Sequence, residues 1–100
     1  MERAIMGGLG AHYRFQTYHT EEDEGGLSQV DFVCGSYYVS VLFDPDAEEG
    51  ACFCFQYHLE GDNVRGCSAG SMAELIAAMH SMFQADEEFL VEGYSEAGVL

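Results

Sequence analysis

The chain contains no lysine and only three arginines, set against eighteen acidic residues, which gives a formal net charge of -15 over 100 residues. DNA, RNA and anionic membranes carry the same sign of charge, so direct binding to any of them is excluded. No apolar run approaches the roughly 18 residues of a membrane span. The first ten residues also lack the apolar region and cleavage site of a secretory signal. We therefore expect a cytoplasmic protein.

Tryptophan is absent and proline occurs once, yet the chain is not depleted in apolar residues, which make up 48% and include seven Phe and six Tyr. Disordered acidic tails are poor in aromatic residues, so this chain should fold. Its length suits a single domain over residues 1–100. A charge of this size repels itself and destabilises a compact state, so it indicates a function and not a requirement of folding.

Alternating apolar and polar residues predict four strands, over residues 11–19, 28–34, 37–44 and 51–59. The dipeptide Gly35-Ser36 separates the second strand from the third and predicts a two-residue type II′ hairpin. That turn sets a register in which the following residues pair on one apolar face: Cys34 with Tyr37, Phe32 with Val39, and Val30 with Val41. In the fourth strand, the aromatic set Phe53, Phe55 and Tyr57 belongs to the core.

A helix is predicted from the capping box of Ser71 and Glu74 to about Leu90, because apolar residues recur there at helical spacing. Residues 1–10 are weakly patterned, 60–70 are predicted as a loop, and 92–100 as a loose tail or short edge segment. The predicted fold is α+β: a four-stranded antiparallel sheet, a meander, with one C-terminal helix packed on its apolar face.

Acidic residues form three clusters, and the predicted topology brings them together. In an antiparallel meander the first and third connections lie at the same end, and a helix that follows four strands returns its C-terminus there. Carboxylates at a helix C-terminus cost about 0.3–1 kcal/mol each, which indicates selection for charge over stability. The predicted partner-binding surface comprises Glu21, Glu22, Asp23, Glu24, Asp44, Asp46, Glu48, Glu49, Asp86, Glu87 and Glu88.

The outer face of the sheet is predicted to lack a covering layer. It carries an aromatic and aliphatic patch formed by Tyr18, Val33, Tyr38 and Leu42. This patch is either a half-hydrated surface or an interface that binds a partner or pairs two copies of the chain.

Four cysteines without a secretory signal favour free thiols over disulfides. Cys52, Cys54 and His58 are potential metal ligands on one strand face, but neighbours on one face lie about 7 Å apart, too far for one tetrahedral ion. Residues 44–50 resemble the start of an EF-hand loop, yet the twelfth position is Phe55 instead of a glutamate. We expect no bound metal and no cofactor.

Catalysis is not indicated by any motif. The chain lacks a phosphate loop, a dinucleotide fingerprint and a nucleophile elbow, and its four histidines have no Ser or Cys partner at a meaningful spacing. We therefore expect a binding protein and not an enzyme.

In composition the chain resembles the small acidic phage-encoded inhibitors of host defence, the anti-CRISPR and anti-restriction proteins. Its size, the runs EEDE and DPDAEE, and the DEE after the helix carry this resemblance. The resemblance implies a protein that binds the basic nucleic-acid-binding surface of a CRISPR effector or restriction enzyme and blocks DNA or RNA by charge mimicry. The alternatives are an immunity or antitoxin-type module for another basic protein, a salt-adapted protein, and a small metal-binding protein that uses Cys and His.

Overall fold

The computed structural model describes residues 1–93. Its elements follow in this order: α1 (Glu2–Leu9), β1 (Phe15–Glu22), β2 (Ser28–Cys34), β3 (Tyr37–Phe43), β4 (Phe53–Leu59), β5 (Arg65–Ala69), α2 (Met72–Gln84) and α3 (Glu87–Gly93). The strands form one antiparallel sheet in the order β1-β2-β3-β4-β5, and each strand pairs with its sequence neighbour. The predicted class, α+β with an antiparallel meander, is confirmed. The prediction of four strands and one C-terminal helix is wrong, because a fifth strand and two further helices are present.

The β2–β3 hairpin forms in the predicted register, with Cys34 opposite Tyr37 and Val30 opposite Val41. Gly35 has a φ of +63°, which a type II′ turn requires at its first central position, whereas Ser36 has a negative φ. The backbone N–H of Ser36 donates a hydrogen bond to the Glu92 carboxylate at a distance of 3.0 Å, and this bond connects α3 to the turn.

Helix α1 occupies a segment for which the sequence predicted no regular element. Ile5 and Leu9 lie one turn apart and are both fully buried in the core, so packing stabilises a helix that contains two glycines. Gly8 lies against Ile76, and the ring of His12 is 5.4 Å from that of His80. Since residue numbers rise together along both elements, α1 runs parallel to α2.

Strand β5 replaces the predicted loop over residues 60–70. It has five residues, all but Cys67 and Ala69 exposed, and it pairs with β4 from Phe53 to Tyr57. Gly66 is required in it, because a Cβ there would overlap the Phe55 carbonyl oxygen and lie 2.9 Å from the Gln56 Cα. A fifth strand reverses the chain once more, so the helix that follows begins at the end of the sheet where it was predicted to finish.

Helix α2 begins as predicted. The Ser71 hydroxyl accepts a hydrogen bond from the Glu74 N–H at 3.2 Å, and the Glu74 carboxylate accepts one from the Gly70 N–H at 3.1 Å. The predicted end near Leu90 is wrong, because α2 is followed by Ala85 in a C-cap position and a new helix begins at Glu87.

The core lies between the helix layer and one face of the sheet. It contains the aromatic residues predicted from β4, with Phe55 and Tyr57 almost fully buried and Phe53 packed against them. All three helices contribute buried apolar residues to this layer. Of the predicted tail, residues 92 and 93 belong to α3, and residues 94–100 lie outside the described residues. Among residues 1–93 we find no helix with the length and apolarity needed to cross a membrane.

Candidate partner-binding surface

Two of the three acidic clusters meet at one end of the sheet, as predicted. The β1–β2 and β3–β4 connections lie side by side, since a Cβ on Gly26 would be 3.3 Å from the Pro45 ring. We call this the acidic end, and it comprises Glu21, Glu22, Asp23, Glu24, Asp44, Asp46, Glu48 and Glu49. All of these side chains are exposed except Asp44, which is half-buried.

Two of these carboxylates also shape their loops. Asp23 accepts a hydrogen bond from the Leu27 N–H at 3.0 Å, and Asp44 accepts one from the Asp46 N–H at 2.9 Å. Both are short-range bonds of the kind that fix turns. The loops therefore hold their shape through backbone and Asx interactions, and the remaining carboxylates project from a defined frame.

No arginine forms an ion pair with these eight residues within the part of the chain that the structure describes. The nearest pairing is between His19 and Glu21, at 3.7 Å, and both side chains are about half exposed or more. Exposed pairs of this kind contribute little to stability. The acidic end is thus a concentration of negative charge that the chain's own cations leave almost unneutralised.

The third predicted cluster lies at the opposite end of the sheet, so the prediction of one shared edge is wrong. Asp86 contacts Arg65 at the start of β5, and Glu88 borders His58 and Leu59 at the end of β4. We call this the hairpin end, because it also carries the Gly35-Ser36 turn. The physical reason is β5, which inverts the direction of α2.

Asp86 is a buried structural residue and not an exposed charge. Its carboxylate accepts hydrogen bonds from the Tyr57 hydroxyl at 2.9 Å and from the Phe89 N–H at 3.1 Å, and it forms an ion pair with Arg65. Burial alone would raise the pKa of Asp86, but the bonds from Phe89 and Tyr57 and the charge of Arg65 hold that pKa below its ordinary value. Burial and the bond to Asp86 raise the pKa of Tyr57 to about 12, so its hydroxyl stays a donor.

The charge of Glu87 and Glu88 was interpreted as unfavourably placed at a helix C-terminus, and this is wrong. Asp86 is the N-cap of α3, and both glutamates lie in the first turn of that helix. Carboxylates there interact favourably with the positive end of the helix dipole. The signal was present in the sequence, since an Asp followed by two acidic residues is typical of a helix start.

The outer face of the sheet carries the predicted patch, with no helix over it among the described residues. Val33 pairs with Tyr38 across β2 and β3, and the ring of Tyr18 is 6.3 Å from that of Tyr38. Tyr18 lies on this face by simple strand alternation with Gln16, and a bulge between Thr17 and His19 brings His19 opposite Asp31 on the same face. Leu42 lies further along β3, opposite Cys54, in a shallow depression of about 200 Å³.

The four cysteines are free thiols, as predicted. Cys34 is buried, and burial raises the pKa of its thiol to about 12, so it is unreactive. Cys52, Cys54 and Cys67 are half-buried or exposed. Within residues 1–93 no three His, Cys, Asp or Glu side chains come together in a way that could hold a metal ion.

The sequence did not identify two further carboxylates at the acidic end, Glu2 and Glu74. Glu2 is the first residue of α1. Glu74 lies in the first turn of α2 and accepts a hydrogen bond from the Gly70 N–H, and a Cβ on Gly70 would be 2.9 Å from the Gly50 Cα in the second acidic loop. The parallel course of α1 and α2 places both helix N-termini here. The positive ends of these two helix dipoles stabilise the carboxylates of Glu2 and Glu74.

The chain matches no protein-family model, and neither a curated protein nor a solved structure is similar to it.

Proposed function

We propose that the chain is an acidic inhibitor that binds the basic nucleic-acid-binding surface of a host defence complex, a CRISPR effector or a restriction enzyme. It blocks DNA or RNA by charge mimicry, and it acts stoichiometrically and not as an enzyme. The observation that carries the proposal is the acidic end: eight carboxylates on the last two residues of β1 and on two adjoining loops, without an arginine partner among the described residues.

The geometry of the acidic end supports a rigid mimic. The two loops leave neighbouring strand pairs whose centres are two strand spacings apart, about 10 Å. Phosphate rows in B-DNA border grooves about 6 and 12 Å wide, so the two loops present negative charge on a comparable scale. A Lys- and Arg-lined groove that has evolved for phosphates would accept these carboxylates in their place.

The function is tested by capturing proteins from a bacterial lysate on the immobilised chain and challenging the bound fraction with duplex DNA and with RNA. The expected result is release of a nucleic-acid-handling enzyme by the nucleic acid at constant ionic strength. Retention of that enzyme at saturating DNA and RNA would contradict mimicry, because competitive ligands cannot occupy one site together.

Replacing Glu21, Glu22, Asp23 and Glu24 by their amides should weaken the captured partner's binding by about tenfold to a hundredfold, which is the loss of one or two close charge pairs worth about 1.5 kcal/mol each, with the other charges screened by solvent. Folding should be unchanged or improved, because self-repulsion falls. The slope of log Kd against log salt should also decrease. Isothermal titration calorimetry at several salt concentrations measures both quantities.

A matched control removes the same four charges from the hairpin end: Glu60, Asp62, Glu87 and Glu88 changed to their amides. These side chains are exposed, as are those of the first variant, and the net charge of the two proteins is identical. We expect the control to bind within about threefold of the original chain. Equal weakening in both variants would show that only the net charge matters, and it would refute a specific acidic surface.

An immunity or antitoxin-type module would use the same surface against a basic protein of another kind. The competition experiment separates the two functions, because such a partner would not be released by nucleic acid. We do not propose a metal-binding function, since the geometry of the described Cys and His residues does not support one.

We propose the patch of Tyr18, Val33 and Tyr38 on the sheet face as a homodimer contact, because it is largely apolar and lies on the half of the sheet away from the acidic end. Tyr38→Asp should then shift a concentration-dependent dimer to monomer in sedimentation velocity. Ser68→Asp, on the outer face of the edge strand β5, is the control and should leave the dimer intact. A monomer at every concentration of the unmodified chain would disprove this contact.

A further inference from the structure

At the acidic end, the space between the helix layer and the sheet is open. Two depressions adjoin there, one of about 530 Å³ and one of about 240 Å³, and the side chains of Met1 and Ser28 line both. The apolar side chains that line them are those of Met1, Val30, Phe43, Phe53 and Met72. We call the two depressions together the apolar mouth, and these five side chains its floor.

The apolar mouth is open because the first turns of α1 and α2 do not cover the ends of the strands at the acidic end. Met1 and Met72 stand at the beginnings of α1 and α2, and Phe43 and Phe53 lie at the ends of β3 and β4 with ring centroids 4.8 Å apart. All four of these side chains are half-buried. Methionine is flexible and polarisable, and it is common at surfaces that adapt to an inserted apolar group.

The rim of the apolar mouth carries more acidic than basic side chains. Glu2, Glu21 and Glu22 line the larger depression together with Arg3 and the first residue of the chain. The remaining carboxylates of the acidic end lie on the same side of the molecule. An apolar recess surrounded by excess negative charge is complementary to a ligand that is cationic around an apolar centre.

We propose that the apolar mouth takes one apolar side chain of a Lys- or Arg-rich segment of the partner protein. This inference rests on the proposed function and specifies its partner: the cations of the segment meet the acidic loops, and a Phe, Leu or Met between them enters the mouth. Nucleic acid and anionic lipid are excluded as occupants by their charge. Burial of the inserted side chain adds an affinity that salt does not screen.

The test uses two synthetic peptides of alternating arginine and lysine, one with phenylalanine at its centre and one with glycine. Their charge is identical, so only the central side chain differs. At high salt, where surface charges are screened, the Phe peptide should bind about tenfold or more tightly than the Gly peptide, as expected for burial of one aromatic side chain. Equal affinities would overturn the inference.

A variant whose own side chain occupies the apolar mouth should lose the preference for the Phe peptide over the Gly peptide. Ser28 lies between the two depressions on β2, so Ser28→Phe places a ring inside the mouth and should reduce the preference to about twofold or less. Ser68→Phe makes the same change at an exposed strand position on the opposite face and should leave the preference intact. Retention of the full preference by Ser28→Phe would also overturn the inference.

A second pair of variants tests the inference independently, in case Ser28→Phe does not fold. Met72→Gln makes the floor polar and should weaken the Phe peptide alone, whereas Met82→Gln, also half-buried on α2 but outside the mouth, should not. Sedimentation velocity without peptide tests whether a second copy of the chain occupies the mouth instead. A dimer that is lost in Ser28→Phe and kept in Ser68→Phe would overturn the inference. The proposed function fails separately, if the captured enzyme is not released by nucleic acid.

Discussion

Phe83→Ala is expected to lower the free energy of unfolding by about 3–5 kcal/mol, the usual cost of deleting a buried phenylalanine. Phe83 is fully buried on α2, at the point where the helix layer meets the sheet. Five aromatic rings surround it at centroid distances of 4.3 to 6.0 Å: Tyr13, Phe15, Phe55, Tyr57 and Phe89. Rigid aromatic neighbours collapse poorly into a cavity, which places the cost in this range.

Urea denaturation followed by circular dichroism measures this loss, with Met82→Ala as the control. Met82 is the neighbouring residue on the same helix and is only half-buried, so its truncation should cost about 1 kcal/mol. The total free energy of unfolding of a domain of this size is about 5–15 kcal/mol. A loss below about 1.5 kcal/mol for Phe83→Ala would mean that the aromatic cluster is not packed as described.

The aromatic core is separated from most of the charge of the chain. Most of its carboxylates lie at the two ends of the sheet, and the core lies between them, away from the charge. Among residues 1–93 two acidic residues are buried, Asp31 and Asp86, and both accept hydrogen bonds from side chains. The charge is therefore borne by exposed loops and helix starts, where it can be changed without disturbing the core.

Local signals were sufficient for the elements that the sequence predicted correctly. Gly35-Ser36 specifies a two-residue turn, and that turn fixes the β2–β3 register without reference to the rest of the chain. Ser71 and Glu74 specify the start of α2 in the same way. The acidic loops were predicted together because any antiparallel meander brings alternate connections to one end.

The missed elements depend on tertiary contacts. Strand β5 buries only Ala69, so it has no alternating pattern, and it is a strand because β4 offers it an edge. Helix α1 has two buried residues and an interior of low helix propensity, and it is held by the groove it fills. Each is stabilised by a surface that the sequence alone does not reveal.

Strand β5, which the sequence did not predict, determines at which end of the sheet the third acidic cluster lies. Because β5 reverses α2, Asp86, Glu87 and Glu88 lie at the hairpin end, and only the first two clusters are left to form a joint surface. The apolar mouth was missed for a related reason: Met1, Phe43, Phe53 and Met72 come from four elements. Their meeting depends on α1 running parallel to α2, which no local pattern predicts.

Asp86→Ala is expected to lower the free energy of unfolding by about 3 kcal/mol. Loss of the N-cap of α3 costs about 1 kcal/mol, and the buried Tyr57 hydroxyl left without its acceptor costs about 1–3 kcal/mol. Asp86→Asn should cost less, because an amide oxygen can still cap the Phe89 N–H. Urea denaturation at pH 7 measures both variants. Similar stabilities for Ala and the original Asp would disprove the structural role of Asp86.

The same residue predicts a pH dependence of known sign. The pKa of Asp86 is lowered in the folded chain, so its contribution is present above the unfolded-state value of about 3.9 and is lost as the pH falls through the folded-state value. Other carboxylates lose their mutual repulsion over the same range, so the quantity to measure is the stability difference between the original chain and Asp86→Asn. That difference should shrink below about pH 4, and a constant difference would contradict the assignment. Partner affinity at pH 7 should be equal in the two proteins, because Asp86 supports the fold at the hairpin end and the proposed partner contacts the acidic end.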